Sequence, residues 1–184
     1  PARKFIAAGV PVAVATDYAR GHKLDAAGLE AAITPRSKVL LLNNPTNPTG
    51  AGYSAAEPRG LAAVARERDL IIIADEIYED LVYGGRKHQS FYNLEPWLPE
   101  RTVVVSGFSK SYAMTGWRLG YAIGDPGLIT ALASYQSQAL SSPSQISQRA
   151  ALVALGEGRA SVPPMCEAFA GRLTYCVGRM RKLG

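Results

Sequence analysis

The sequence predicts an α/β protein with a mostly parallel sheet flanked by helices, and two observations point there. Short apolar runs of strand length alternate with longer stretches of helical period, the pattern of successive βα units. The runs Val39-Leu-Leu-Leu42 and Leu70-Ile-Ile-Ile-Ala74 are apolar without alternation, as strands covered on both faces are.

Along the chain, Val10 to Ala15 reads as a strand and Asp25 to Ile33 as a short helix with Asp25 at its N-cap. A buried strand follows at Lys38 to Asn43. Ser54-Ala-Ala-Glu57 has the form of a capping box, opening a helix to about Arg68 with Leu61, Val64 and Ala65 on one face. Leu70 to Ala74 is a central parallel strand that ends on Asp75. Arg101 to Ser106 and Arg118 to Ile123 are two further strands joined by a loop rich in Gly, Ser and Thr. Asp125-Pro126 then caps a helix over about Gly127 to Ser137, and Pro143 to Gly184 is helical with a break near Gly156 to Pro164. Tyr83 to Pro99 is an aromatic, proline-containing loop, and the chain has neither an internal repeat nor a low-complexity segment.

At 184 residues, 47% hydrophobic and 19% charged, the chain has the composition of an ordinary globular domain with one sizeable core. No apolar stretch reaches the length of a membrane span, so no membrane partner is expected. The net charge of +5 is modest and its basic residues are scattered, which argues against nucleic acid. Cys166, Cys176, His22 and His88 show no metal-ligand spacing, so no metal site is expected. Two cysteines without a signal-peptide pattern suggest reduced thiols packed in the core of a cytoplasmic protein. Pro1-Ala-Arg-Lys-Phe lacks an initiator Met and Arg179 to Gly184 stops within an amphipathic basic helix, so the chain reads as a piece of a longer protein.

In open parallel sheets ligands sit beyond the carboxyl ends of the strands. Three strand ends here are chemically loaded: Asn43-Asn-Pro-Thr-Asn47-Pro-Thr-Gly50, Asp75-Glu-Ile-Tyr78 and Gly107-Phe-Ser-Lys110. Each has a plain reading alone: an aspartate closing a strand is often a helix cap or magnesium ligand, Asn-Pro-Thr-Gly a turn, and a lysine a solvated charge. Together, Asn-Pro-Thr-Asn-Pro-Thr-Gly, Asp-Glu-Ile-Tyr and Gly-Phe-Ser-Lys-Ser-Tyr-Ala-Met-Thr-Gly-Trp-Arg-Leu-Gly-Tyr resemble the three signatures of class I pyridoxal 5'-phosphate (PLP) aminotransferases. They stand in the family's order and at its approximate spacing. The likeness runs from about Ile6 to Ser147, roughly the middle half of a family member.

The resemblance implies an incomplete PLP-dependent transferase-like large domain over residues 1–156, with 157–184 a helical segment leading toward a small domain. It implies Lys110 as the catalytic lysine that carries the cofactor and moves the substrate proton. Asp75 would pair with the pyridine nitrogen, Tyr78 and Asn47 with the ring oxygen, and Arg118 with the phosphate, as a two-pronged donor. Ser109 would add a hydroxyl contact. Many relatives carry serine three residues before the lysine; Gly107 stands there, leaving Ser106 and Ser109 as phosphate candidates. Asn47-Pro48 is a candidate cis peptide.

Trp117 and Tyr121 flank Arg118 at strand period and are expected to pack. Glu76 is expected to cap or to be solvated. Phe91, Tyr92 and Trp97 stand equally as a subunit contact or a substrate wall.

The Ala113 to Tyr121 wording is similar to the aspartate and aromatic aminotransferase subgroup, which implies an amino acid donor, a 2-oxo acid acceptor such as 2-oxoglutarate, and a homodimer. On that reading the phosphate loop, the ring-stacking aromatic and the arginine for the substrate carboxylate lie outside this chain, and the 184-residue segment alone would be inactive. Two alternatives share the motifs: a PLP-dependent carbon–sulfur lyase, and the aminotransferase-like effector domain of a transcription regulator. A generic nucleotide-binding domain is disfavoured, because no Gly-x-Gly-x-x-Gly or Walker motif follows the early strands.

Overall fold

The computed structural model describes residues 9–54 and 56–183. The opening Pro1 to Phe5, the start of the family likeness at Ile6, Ala55 of the Ser54 to Glu57 pattern and Gly184 lie outside the described residues.

Among the described residues four strands form one sheet in the order β1 (Val39–Asn43), β2 (Ile71–Asp75), β3 (Thr102–Gly107), β4 (Gly120–Ile123). The first three are parallel and β4 runs antiparallel to β3, so the sheet is mostly parallel as the sequence predicts. The helices are α1 (Ala26–Ala32), α2 (Glu57–Glu67), the single turn α3 (Phe108–Ser111), α4 (Pro126–Leu140), α5 (Gln145–Leu155) and α6 (Val162–Leu183). Asp25 caps α1 by accepting from the Gly28 amide, and Asp125 caps α4 by accepting from the Gly127 and Leu128 amides.

The core lies on one face of the sheet. Leu40, Leu42, Ile72, Ala74 and Val104 meet the buried stripe Leu61, Ala62, Val64 and Ala65 of α2 and Leu29 of α1. This stripe recurs at helical period, so burying it holds α2 along β1 and β2. Val39, Leu41, Val105 and Ile123 are exposed, and β1 alternates between exposed and buried residues, so among the described residues it is covered on one face and not on both as its unbroken apolar run predicts. A second, smaller cluster joins Phe108 to Ala151 and Ala154 of α5, with Tyr112, Met114, Leu119 and Tyr121 packed against it.

Several expectations are corrected. Val10 to Ala15 forms no strand; Pro11 removes a ladder donor, and Val10 and Val12 are exposed with no partner strand among the described residues. Phe91 is 1% exposed and belongs to the main core, while Tyr92 and Trp97 pack against it. The Arg66 guanidinium lies 5.4 Å from the Trp97 ring centroid, and burial removes Phe91 as a surface contact. Cys166 is half-buried, its thiol donating to the Asp80 carbonyl at 2.9 Å, and Cys176 is exposed; neither belongs to the core. Among the described residues no helix is long and apolar enough to cross a membrane.

Helix α2 begins at Glu57 rather than Ser54, because Pro58 is preset for a first turn and needs no N–H partner there. Glu57 still reaches back, accepting from the Ser54 amide at 2.6 Å and the Ser54 hydroxyl at 2.8 Å, while Lys23 Nζ donates to it at 2.8 Å. Partial burial acts to raise the Glu57 carboxyl, but the bonds from Lys23 and Ser54 outweigh it and bring the group down to about 2. The folded state therefore holds this proton less tightly than the unfolded chain. The stabilisation is present above about 4.5 and lost as pH falls toward about 2. Urea unfolding of Glu57→Gln between pH 5 and pH 2 is expected to show a shallower loss of stability than wild type; equal slopes would contradict the assignment.

Candidate active site

The three loaded strand ends meet at the carboxyl edge of the sheet. Asn43 and Asp75 are register partners, as are Asp75 and Val105, so the ends of β1, β2 and β3 lie side by side. Asn43 ties the first two: its Nδ2 donates to the Asp75 carbonyl at 3.1 Å, and its Oδ1 accepts from the Asn47 amide at 2.9 Å. The Asn44 amide donates to that same Asp75 carbonyl at 2.9 Å. The Asn47–Pro48 peptide is cis, as is Asn44–Pro45.

The Asn47 side chain is thereby turned toward β2, where its Nδ2 donates to the Tyr78 hydroxyl at 3.2 Å. Asp75 stands half-buried at the strand end, one carboxylate oxygen accepting from the Ile77 amide at 3.2 Å. The chain turns at once, and Tyr78 comes to lie beneath Lys110, whose Nζ is 5.5 Å from the Tyr78 ring centroid. Lys110 sits on α3, the helical turn that β3 feeds directly.

Ser109 and Lys110 are half-buried and line a groove of about 410 Å³ together with Tyr78, Thr115 and, from α6, Met165 and Phe169. Thr115 closes the loop that follows, its hydroxyl donating to the Ser109 carbonyl at 3.0 Å. Arg118 is exposed and its Nη1 donates to the Thr115 carbonyl at 3.0 Å. Asn47, Tyr78, Lys110, Ser109, Thr115 and Arg118 therefore form one chain of contacts, and Asp75 joins it through Asn43. Among the described residues no group of three or more His, Cys, Asp or Glu side chains is placed to hold a metal ion.

The family model described as aminotransferase class I and II matches residues 4–184. The chain belongs to this family. The aspartate aminotransferase of Rhizobium meliloti (strain 1021) is 48% identical over 179 residues, 97% of this chain and 44% of that protein. That of Geobacillus stearothermophilus is 42% identical over 98% of this chain and 46% of its own length. A crystal structure of aspartate aminotransferase from Thermus thermophilus with maleate matches at TM-score 0.79 and 41% identity, over 97% of this chain and 44% of that one. The aromatic aminotransferase of Pyrococcus horikoshii OT3 matches at TM-score 0.90 and 33% identity, over 96% of this chain and 48% of that one. The chain spans about half the length of the relatives it matches.

Within this aminotransferase-family chain, three site readings change. Arg118 is not in a strand but in a left-handed turn, φ 51°, after the 3-10 turn Thr115–Trp117; β4 starts two residues later at Gly120. Trp117 shares that turn and is 43% exposed, so it does not alternate with Tyr121, which packs in the second cluster. Ser106 is buried and donates to Glu79 Oε1 at 2.7 Å, which removes it as a phosphate candidate. Gly107 has a packing reason: a Cβ there would lie 2.8 Å from the Cα of its register partner Gly120, so serine at this position has no room.

Sequence reasoning missed the acids beside Asp75. Glu76 neither caps a helix nor meets solvent; it is 2% exposed and accepts from the Phe91 amide at 2.8 Å and the Ser90 hydroxyl at 3.1 Å. His88 Nε2 lies 2.9 Å from its second oxygen. Asp80 receives a two-pronged guanidinium from Arg159, at 2.7 and 2.8 Å, in the turn before α6. The signal available was the density of acids in Asp75-Glu-Ile-Tyr-Glu-Asp80, more than one ligand contact needs. Glu76→Ala would strand a buried amide, hydroxyl and imidazole, and is expected to lower the unfolding free energy by about 3 kcal/mol. Urea denaturation measures it, and a loss below about 1 kcal/mol would show that the cluster is not a structural anchor.

Proposed function

We propose that the protein containing this chain is a PLP-dependent aminotransferase, moving an amino group from an amino acid, aspartate or an aromatic one, to a 2-oxo acid such as 2-oxoglutarate. The observation that carries the reading is the Lys110 amine standing over the ring of Tyr78, whose hydroxyl Asn47 holds, at the edge where three strand ends meet. The relatives named aspartate aminotransferase, 48% and 42% identical over nearly the whole chain, support the substrate class.

The donor set matches the cofactor's chemistry. Asp75 offers a carboxylate for a protonated ring nitrogen, Tyr78 and Asn47 offer a hydroxyl and an amide for a ring oxygen, and Arg118 with Ser109 offers cationic and hydroxyl donors for a phosphate. When bound, PLP supplies an electrophilic carbonyl and a ring that takes up electron density.

Lys110 Nζ is a nucleophile in its neutral form and a proton carrier in its charged one, so it serves to hold the cofactor and to move a proton at the substrate's α-carbon. Asn47 is set by Asn43 and holds the Tyr78 hydroxyl in place. Lys110 sits on the helical turn that follows directly on β3 and Tyr78 stands three residues after β2, which favours a reproducible distance between amine and reacting carbon.

Residues 1–156 belong on this reading to the large cofactor domain. Residues 157–184 lead toward a second domain, with α6 as the connecting helix. The working protein is a cytoplasmic homodimer.

The full-length protein given aspartate and 2-oxoglutarate is expected to form oxaloacetate and glutamate in equal amounts. Lys110→Ala should lower kcat at least about a thousandfold. Pyruvate and ammonia released from a cysteine-type substrate without an oxo acid would replace transamination with carbon–sulfur lysis.

A further inference from the structure

One carboxylate touches the segments that carry Tyr78, Lys110 and Arg118 at a single point. Glu79 follows Tyr78 directly, and its Oε1 accepts from the Ser106 hydroxyl at 2.7 Å and from the Tyr121 hydroxyl at 3.1 Å. Ser106 and Tyr121 are antiparallel register partners on β3 and β4, so their side chains project from the same face and present two donors side by side. Ser106 stands four residues before Lys110 and Tyr121 three after Arg118.

We propose that Glu79 is a positioning residue that locks the β3–β4 end bearing Lys110 and Arg118 against the turn bearing Tyr78. The inference rests on the aminotransferase reading above and assigns that site a residue outside its cofactor contacts. Its neighbours' side chains do different work: the Glu76 carboxylate grips the Ser90–Phe91 segment and the Asp80 carboxylate grips Arg159, and only the Glu76 backbone amide meets β3, at the Val105 carbonyl.

Glu79 is half-buried, and no ion pair engages it among the described residues. A carboxylate withdrawn from water without a counter-charge is costly where packing alone is needed; its two hydroxyl donors offset part of that cost and give it direction. Burial, opposed by the bond with Ser106 and reinforced by the Glu79 charge, pushes the Tyr121 hydroxyl up, so it remains a donor. Removing the tether frees the Lys110 turn to shift against Tyr78, and a misplacement of about 1 Å lowers turnover by about a hundredfold.

The test uses the full-length holoenzyme, with kcat expressed per lysine that borohydride traps with cofactor. Glu79→Ala is expected to lose about a hundredfold in kcat with KM for both substrates within about threefold, and Glu79→Gln, which keeps an acceptor oxygen, to recover to within about fivefold of wild type. Should Glu79→Ala not fold, the double variant Ser106→Ala with Tyr121→Phe strips both donors, keeps the carboxylate and should show the same loss.

A purely structural role would lower thermal stability and the trapped fraction while leaving kcat per trapped lysine unchanged, and that result overturns the proposal. So does a Gln variant as impaired as Ala, because charge and not position would then matter. A wild-type protein that traps no cofactor on Lys110 would instead remove the aminotransferase reading, and this inference with it.

Discussion

The arrangement depends on the turn that leaves β2. In the six residues Asp75 to Asp80 the chain passes through the middle of the sheet edge, and its polar groups reach five different segments. The Asp75 carbonyl accepts from Asn43 and Asn44 at the end of β1, and Glu76 takes the Ser90–Phe91 segment. Glu79 takes β3 and β4, and Asp80 takes Arg159 ahead of α6. Tyr78 is carried in the middle, and its ring and hydroxyl meet Lys110 and Asn47. A parallel sheet makes this possible, because neighbouring strands deliver their carboxyl ends to one edge.

The energetics of that turn are those of satisfied burial. Glu76 is almost fully enclosed, which is tolerable only because an amide, a hydroxyl and an imidazole surround it. The Arg159–Asp80 pair is more exposed on the arginine side, so it contributes direction more than stability. Tyr112 adds its hydroxyl to that guanidinium at 3.3 Å, which links the Lys110 helical turn to the start of α6. The groove wall made by Met165 and Phe169 is therefore held in register with the lysine from two directions.

Much of this was legible in the sequence, and the exceptions share a cause. β1, β2 and β3 announced themselves by unbroken β-branched and leucine runs, and the residues just after them meet at one edge because parallel strands deliver their ends in one direction. Val10 to Ala15 has similar composition yet forms no strand, since a strand exists by pairing and Pro11 withholds a donor. Arg118 was placed in a strand by alternation with Trp117 and Tyr121, whereas a left-handed turn interrupts that period before Gly120. Glu76, Glu79 and Arg159 were invisible as anchors because their partners lie 12 to 79 residues away, a separation no local pattern encodes. Gly107 looked like a lost serine until the β3–β4 register set it against Gly120.

The central claim, that this edge holds PLP on Lys110, is tested most directly by mapping the attachment. The full-length protein would be loaded with PLP, reduced with borohydride and digested, with the peptides weighed by mass spectrometry. The account predicts a visible absorbance band that reduction abolishes, and a reduced cofactor mass on the peptide carrying Lys110. Cofactor mass on another lysine, or on none, would contradict it.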